Sequence, residues 1–363
     1  MEKGNVLKFN FLVFLLNFLL ALIFPKISIC KDLNWYEKYK EAYSLAQSKQ
    51  YDLAYPKINE AISGSKNLFF NSENKDYAYC LNELGDIAAH LKKYDESEKA
   101  FRKALEIYEG IKGNDPGVGI ALSGLATLRF EQKNFKEAIP LYEQAIKISS
   151  EINGRNDDGV FDESFSVALC FYELKDYDKS TEAFRGLLEK IRKAHPENIK
   201  SIGLISDYLS MSYFFLGDIP ESLKAESDAI KFAQKAKNPD NDQIGMHYFK
   251  ISKIYYGTGN KKEAGIYLDK SLKLIPEESL AILTRISALT LRARIYFENG
   301  QRTLAEKYSD EVLNSSAKVF RYYRPEYGST IEEAIQGLKD IGDSEKAKTL
   351  QQQLESVRAT SSS

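Results

Sequence analysis

Three histidines and three cysteines are all that 363 residues contain, and that scarcity removes most metal and nucleophile schemes at once. A zinc site needs three or four convergent ligands, and no Cys–His cluster, zincin motif or nucleophile elbow occurs in the chain. Charge of one sign is also missing. Fifty basic residues stand against 52 acidic ones, evenly mixed, which leaves no basic footprint for nucleic acid. The glycine-rich stretch from Gly110 to Gly119 lacks a following Gly-Lys-Ser/Thr, so it reads as an ordinary loop rather than a phosphate cradle. Catalysis and bound cofactors are therefore not expected.

The strongly apolar run from Phe9 to Phe24 is interrupted only by Asn10 and Asn17, and it is short for a membrane-spanning helix, which takes about 20 residues. Lys3 and Lys8 precede it, Pro25-Lys26 ends it, and Ser28-Ile29-Cys30 supplies small residues near a cleavage point. Residues 1–30 thus read as a signal peptide or as an N-terminal anchor attaching through residues 9–24. Ile29 sits where a lipid-attachment motif wants Gly or Ala, which disfavours lipidation at Cys30. Each reading exports the remainder, to a periplasmic, extracellular or outward-facing membrane location. Export permits disulfides. Cys80 and Cys170, however, lie a whole hairpin apart, beyond the ~7 Å that a bridge spans, and both read as small core residues. The one sequon, Asn314-Ser315-Ser316, is near chance for this length.

What the chain has in abundance is one turn, written eight times. It reads Lys49-Gln50-Tyr51-Asp52, Lys92-Lys93-Tyr94-Asp95, Lys133-Asn134-Phe135-Lys136 and Lys175-Asp176-Tyr177-Asp178. It then returns at Gly217-Asp218-Ile219, Gly259-Asn260-Lys261, Gly300-Gln301-Arg302 and Gly342-Asp343-Ser344. The third residue of each falls 41 to 43 positions after the last, and so regular a period implies stacked supersecondary units. Before the second turn, Leu81, Leu84, Ala88 and Leu91 recur at helical spacing. After it, Ser97, Ala100, Phe101, Ala104 and Leu105 do the same. Two amphipathic helices joined by a tight turn make a hairpin whose leftover apolar surface the next hairpin covers.

Those residues resemble the tetratricopeptide repeat. Leu84-Gly85, Tyr94, Ser97, Phe101 and Ala104 match its pattern, as do Leu125-Ala126, Phe135, Ala138, Tyr142 and Ala145. So do Val167-Ala168, Phe171, Tyr177, Ser180 and Phe184, and Ala264, Leu268, Ser271 and Pro276. The fifth unit departs by carrying Glu226 at the late aromatic position. The 42-residue step is similar to that of the kinesin-light-chain-like branch. The resemblance implies an all-α solenoid, a right-handed superhelix of about eight hairpins over residues 35–357, with residues 358–363 a disordered tail.

It also implies that the first helix of each hairpin lines a concave groove for a protein or peptide partner. The residues there are aromatic to an unusual degree. They are Tyr36, Tyr39 and Tyr43, then Tyr79, Asn82 and Asp86, then Phe130, Phe165 and Tyr172. Met211, Phe214 and Phe215 follow, then Met246, Phe249, Tyr256, Arg294 and Phe297. Tyr, Phe, Met and Arg are the anchor types of protein interfaces. A family clamp for terminal carboxylates would need basic residues at Tyr39, Tyr43 and Asn82; only Asn82 is compatible, so that ligand is not expected. Asp86 and His90 stand one helical turn apart, half of a metal site at most, and read as a solvated groove. The expected function is an exported, non-catalytic docking scaffold, or alternatively a structural subunit of an envelope or secretion assembly. Oligomeric state is not legible.

Overall fold

The computed structural model describes residues 35–66, 75–110, 115–152, 158–322 and 324–361. The expected signal segment, Cys30 and part of the links after Gly110 and Ile152 lie outside these residues. Within them the chain is helical, with no strand, and the all-α tandem-hairpin class is as expected. α1 covers residues 35–47. It is followed by α2 (Tyr51–Lys66), α3 (Lys75–His90), α4 (Tyr94–Glu109), α5 (Pro116–Glu131), α6 (Phe135–Ile152) and α7 (Asp158–Glu173). Then come α8 (Tyr177–Ala194), α9 (Ile199–Phe215), α10 (Ile219–Gln234), α11 (Asn241–Gly257) and α12 (Lys261–Leu274). The last four are α13 (Ile282–Glu298), α14 (Arg302–Phe320), α15 (Gly328–Asp340) and α16 (Ser344–Ser361). Odd-numbered helices are the first, or A, helices of their hairpins. The chain forms two compact units, one ending at Leu174 and one beginning at Lys175.

The turn works by using the same residues twice. Lys49, Lys92, Lys133 and Lys175 have φ of 58–60°, and Gly217, Gly259, Gly300 and Gly342 have φ of 75–82°. This left-handed residue lets the next N–H reach back to close the A helix. Lys93 N–H donates to the Ala88 carbonyl at 2.9 Å, and Asn260 N–H to the Tyr255 carbonyl at 2.8 Å. That next residue then caps the B helix. The Asp176, Asp218 and Asn260 side chains accept from the N–H groups of Lys179, Glu221 and Glu263, satisfying donors that a helix start leaves open. No linker is needed, which is why the turn is so short.

Three residues after each aromatic or its substitute comes a small buried side chain: Ala54, Ser97, Ala138, Ser180, Ser222, Ala264, Ala305 and Ala347. Here the two helices of a hairpin approach most closely. Where serine replaces alanine its hydroxyl has a partner. Ser97 donates to the Gly85 carbonyl at 2.6 Å, Ser180 and Ser212 share a 2.9 Å hydrogen bond, and the Ser222 and Ser210 hydroxyls share one at 3.1 Å. Seven residues after the turn aromatic, Phe101 enters the space left by two glycines. A Cβ on Gly85 would stand 2.7 Å from its ring and one on Gly124 only 2.3 Å away, so both sites exclude any side chain.

Cys80 and Cys170 are fully buried free thiols, each pushed up to about 12 by burial. Ser316 of the sequon is buried inside α14. The array continues past residue 357, because α16 runs to Ser361 and Arg358 pairs with Glu332 of α15 at 2.8 Å. Residues 358–361 are therefore helix, not disordered tail.

Candidate functional site

On α1 of the first unit, Tyr36, Tyr39 and Tyr43 recur at three- and four-residue spacing and so share a face. Their rings form a near-parallel ladder, with centroids 6.4 and 6.3 Å apart and interplanar angles of 13° and 20°. Tyr36 and Tyr43 are each 47% exposed. Glu83 of α3 lies close enough to oppose ionisation of Tyr39, whose hydroxyl is pushed up to about 12, chiefly by burial. Glu83 itself is pushed up to about 7 by burial and then by Asp86. Asp86 stands 3.8 Å from His90, and the His90 ring stacks on Tyr51 at 4.1 Å. No third ligand joins this pair among the described residues.

Other expected groove positions of this unit are committed to packing. Asn82 is 5% exposed and donates its amide to the Gly117 carbonyl at 3.1 Å. Tyr79 meets Tyr108 edge-on at 5.7 Å. Phe130 meets Phe135 edge-on at 5.1 Å. Phe165 and Tyr172 are half-buried on α7.

The second unit gathers its expected residues more tightly. Met211, Phe214 and Phe215 of α9 meet Met246 and Phe249 of α11 around one cleft of about 390 Å³. Met211 and Phe215 remain exposed, and Lys250 and Lys253 also line this cleft. A neighbouring cleft of about 380 Å³ shares Phe249 and Lys253 and adds Tyr256 and Arg294. The Tyr256 hydroxyl donates to Glu298 at 2.7 Å, and Arg294 pairs with Asp340 at 3.1 Å. Phe297 stands apart, lining a third cleft with Arg302 and Lys346.

Beneath the first of these clefts lies a charged group that sequence reasoning did not assemble. Glu226 of α10 is 1% exposed and His247 of α11 is 4% exposed. His247 Nδ1 is 2.8 Å from Glu226 Oε2 and 3.2 Å from Asp207 Oδ1 of α9. One N–H points one way only. Glu226 takes it, and Asp207 Oδ1 gains no hydrogen bond. Lys250 pairs with the other Asp207 oxygen. Burial alone would strip the proton from the imidazole, but the hydrogen bond to Glu226 and the charges of the Asp207 and Glu226 carboxylates beside it outweigh burial and lift His247 to about 9. Burial also raises Glu226, against the pull of His247.

The three ligand atoms lie within 4.8 Å of one another, close enough for a divalent ion. Two carboxylates, however, already balance an imidazolium and an ammonium. An ion would have to expel the His247 proton and then sit beside Lys250. The set is a network that ties α9, α10 and α11 together, with Glu226 and Lys250 lining this cleft and Asp207 and His247 lining a smaller one beside it, of about 220 Å³. One signal pointed to it. Glu226 occupies the column where Phe101, Tyr142 and Phe184 fill other hairpins, and a carboxylate buried there requires partners.

Tetratricopeptide-repeat family models match residues 39–111, 76–151 and 248–278. A secreted RxLR effector protein of Plasmopara halstedii is 26% identical over 270 residues, covering 69% of this chain and 77% of its own length. A kinesin light chain-related protein of Arabidopsis thaliana is 22% identical over 254 residues, covering 66% of this chain, which spans only 38% of that relative. Among solved structures, part of a repeat-containing protein from Cytophaga hutchinsonii aligns with a TM-score of 0.55 at 15% identity, over 83% of this chain and 99% of its own. The apo quorum sensor NprR of B. thuringiensis aligns at 0.51 and 16% identity, over 90% of this chain and 93% of its own. At these identities the solved structures speak to the fold alone.

Proposed function

We propose, for a chain that is a tandem tetratricopeptide-repeat scaffold, that it acts outside the cytosol by holding a protein or peptide segment against its A helices. The observation that carries this reading is the α9–α11 cleft. Exposed Met211 and Phe215 stand with Phe214, Met246 and Phe249 around one opening, and an isolated scaffold gains nothing by leaving such side chains together in water. Their chemistry is that of interface hot spots, unbranched sulfur and aromatic side chains beside a long cation. Apolar anchors from a partner would displace water from the cleft, and rim contacts would add orientation more than affinity. No catalytic step is assigned to the cleft.

Export rests on the basic-then-apolar start of the sequence and on the similarity to a secreted effector. The docking reading is tested by affinity capture from the exported fraction with the wild-type chain and with Phe214→Ala/Phe249→Ala. Circular dichroism first establishes that the variant is folded. Loss of the captured partner is expected, and undiminished capture by the folded variant refutes the assignment of this cleft.

A further inference from the structure

We propose that the A-helix face of the first unit takes a positively charged segment of the partner, a stretch bearing arginine or lysine. This inference rests on the docking reading and adds the chemistry that one part of the surface selects. The tyrosine ladder of α1 offers π faces, which attract cations. The chain itself places one cation in this way, with Lys40 Nζ 5.0 Å from the centre of the Tyr36 ring. Tyr43, at the other end of the ladder, is equally exposed and has no such cation among the described residues.

Beside the ladder stand Glu83 and Asp86 of α3. Glu83 is half-buried and has no ion-pair or hydrogen-bond partner among the described residues. The groups facing it are Asp86 and the Tyr39 hydroxyl, one of them acidic and the other only weakly so. Asp86 has only His90, at 3.8 Å. A carboxylate partly desolvated beside an aromatic face, as Glu83 is, has unmet demand for a cation, and the exposed Asp86 adds a second negative charge next to it. Three lysines on and beside α1 are already paired with other carboxylates. Lys38 and Lys57 pair with Glu41, and Lys40 pairs with Glu37.

The repeat register extends the same bias. Glu131 ends α5 and Glu173 ends α7 at the position where His90 ends α3, and both are exposed. An acidic segment would meet repulsion along this face, and a neutral one would leave the carboxylates without counter-charge. An arginine side chain satisfies both features, stacking on tyrosine and pairing with a carboxylate.

The test is fluorescence anisotropy of the full chain with three labelled peptides of about ten residues. One alternates arginine and serine, the second has citrulline for arginine, and the third has glutamate. The arginine peptide is expected to bind roughly tenfold more tightly than the citrulline peptide, to lose affinity as salt is raised, and to outcompete the glutamate peptide. Glu83→Gln/Asp86→Asn, which keeps shape and removes charge, should bring the arginine peptide down to the citrulline level. Tyr43→Leu should weaken binding while leaving its salt dependence intact. Equal binding of arginine and citrulline peptides, or wild-type affinity in the amide variant, overturns the inference and leaves docking at the α9–α11 cleft standing. Preference for glutamate overturns it likewise. Absence of binding by all three peptides overturns it too. Whether the docking reading itself fails is decided separately, by the Phe214→Ala/Phe249→Ala capture.

Discussion

The network of Asp207, Glu226, His247 and Lys250 makes a quantitative pH prediction. A group whose folded-state pKa lies above its unfolded value contributes stability that is complete below the unfolded value and disappears as pH rises through the folded one. His247 rises from an ordinary 6.5 to about 9. At 1.36 kcal/mol per pH unit, the contribution is about 3 kcal/mol, present in full below pH 6.5 and gone by about pH 9.5. The imidazole is almost wholly buried, so solvent screening takes little from this figure. The groups that face it all enter the sum. Glu226 is raised by its own burial and shifts the balance in the same direction, while Lys250 keeps Asp207 occupied. The perturbation is His247→Gln, which retains a hydrogen-bond donor towards Glu226 and removes the titration. Urea unfolding at pH 6.5 and pH 9.5 gives four stabilities, and the difference of differences cancels the titrating groups outside the network, leaving His247 together with Glu226, which His247 pulls down. The wild type should lose roughly 2–4 kcal/mol more than the variant on going to high pH. Parallel losses in the two proteins refute the assignment of a protonated imidazole. A larger loss in the variant refutes its sign.

Four further outcomes follow from the packing. Lys92→Gly removes a side chain from a left-handed residue at φ 59° and should stabilise the chain by about 1 kcal/mol, while Gly259→Ala should cost about as much; thermal melts moving in the reverse directions refute the strain argument. Gln301 starts α14 without a side-chain cap, so Gln301→Asp should add about 0.5–1 kcal/mol, and an unchanged urea midpoint counts against it. Phe101→Ala should cost about 3–5 kcal/mol, since the ring fills a gap between Gly85 and Gly124 that neither glycine can close. Cys80 and Cys170, raised by burial, should escape maleimide until denaturant is added; peptide mapping of labelled Cys80 in the native protein would contradict this.

Much of this fold was legible because it is written in columns that recur. The turn residue, the small residue three positions on and the bulky residue seven positions on each meet the same kind of neighbour in every repeat, within the hairpin or on the next one as Phe101 does at Gly124, so periodicity alone exposes them. The buried network was not legible in that way. Asp207, Glu226 and His247 come from three helices of two consecutive hairpins and occupy three different columns, so no spacing rule joins them. Asn82 and Tyr79 taught the complementary lesson. Their column suggests a groove, but Gly117 of the next hairpin accepts the Asn82 amide and Tyr108 packs against the Tyr79 ring. Helix phase gives the direction of a side chain, and only the helices packed over it, from its own hairpin or the next, decide whether it is covered. The end of α16 was not legible for a similar reason, because a polar composition does not reveal that Arg358 reaches Glu332 of α15.

The columns also separate what specifies the fold from what is free to specify a partner. Eight residues before each turn aromatic or its substitute, the chain carries Tyr43, Asp86, Thr127, Leu169, Met211, Lys253, Arg294 and Gln336. This column holds aromatic, acidic, polar, apolar and basic side chains, whereas the left-handed column admits only Lys and Gly, and the small column only Ala and Ser. A position that holds so many chemistries at one register is only loosely constrained within the hairpin, Thr127 with its 3.0 Å hydrogen bond to Tyr142 being the most engaged. Its sequence of chemistries therefore records something other than folding. In the first unit that record begins with tyrosine and a carboxylate, and in the second it runs through methionine, lysine and arginine. Exchanging Asp86 and Lys253 as a double charge swap should leave stability within about 0.5 kcal/mol while redistributing charge between the two units. A melt lowered by several kcal/mol would show that the column is bound to the fold after all.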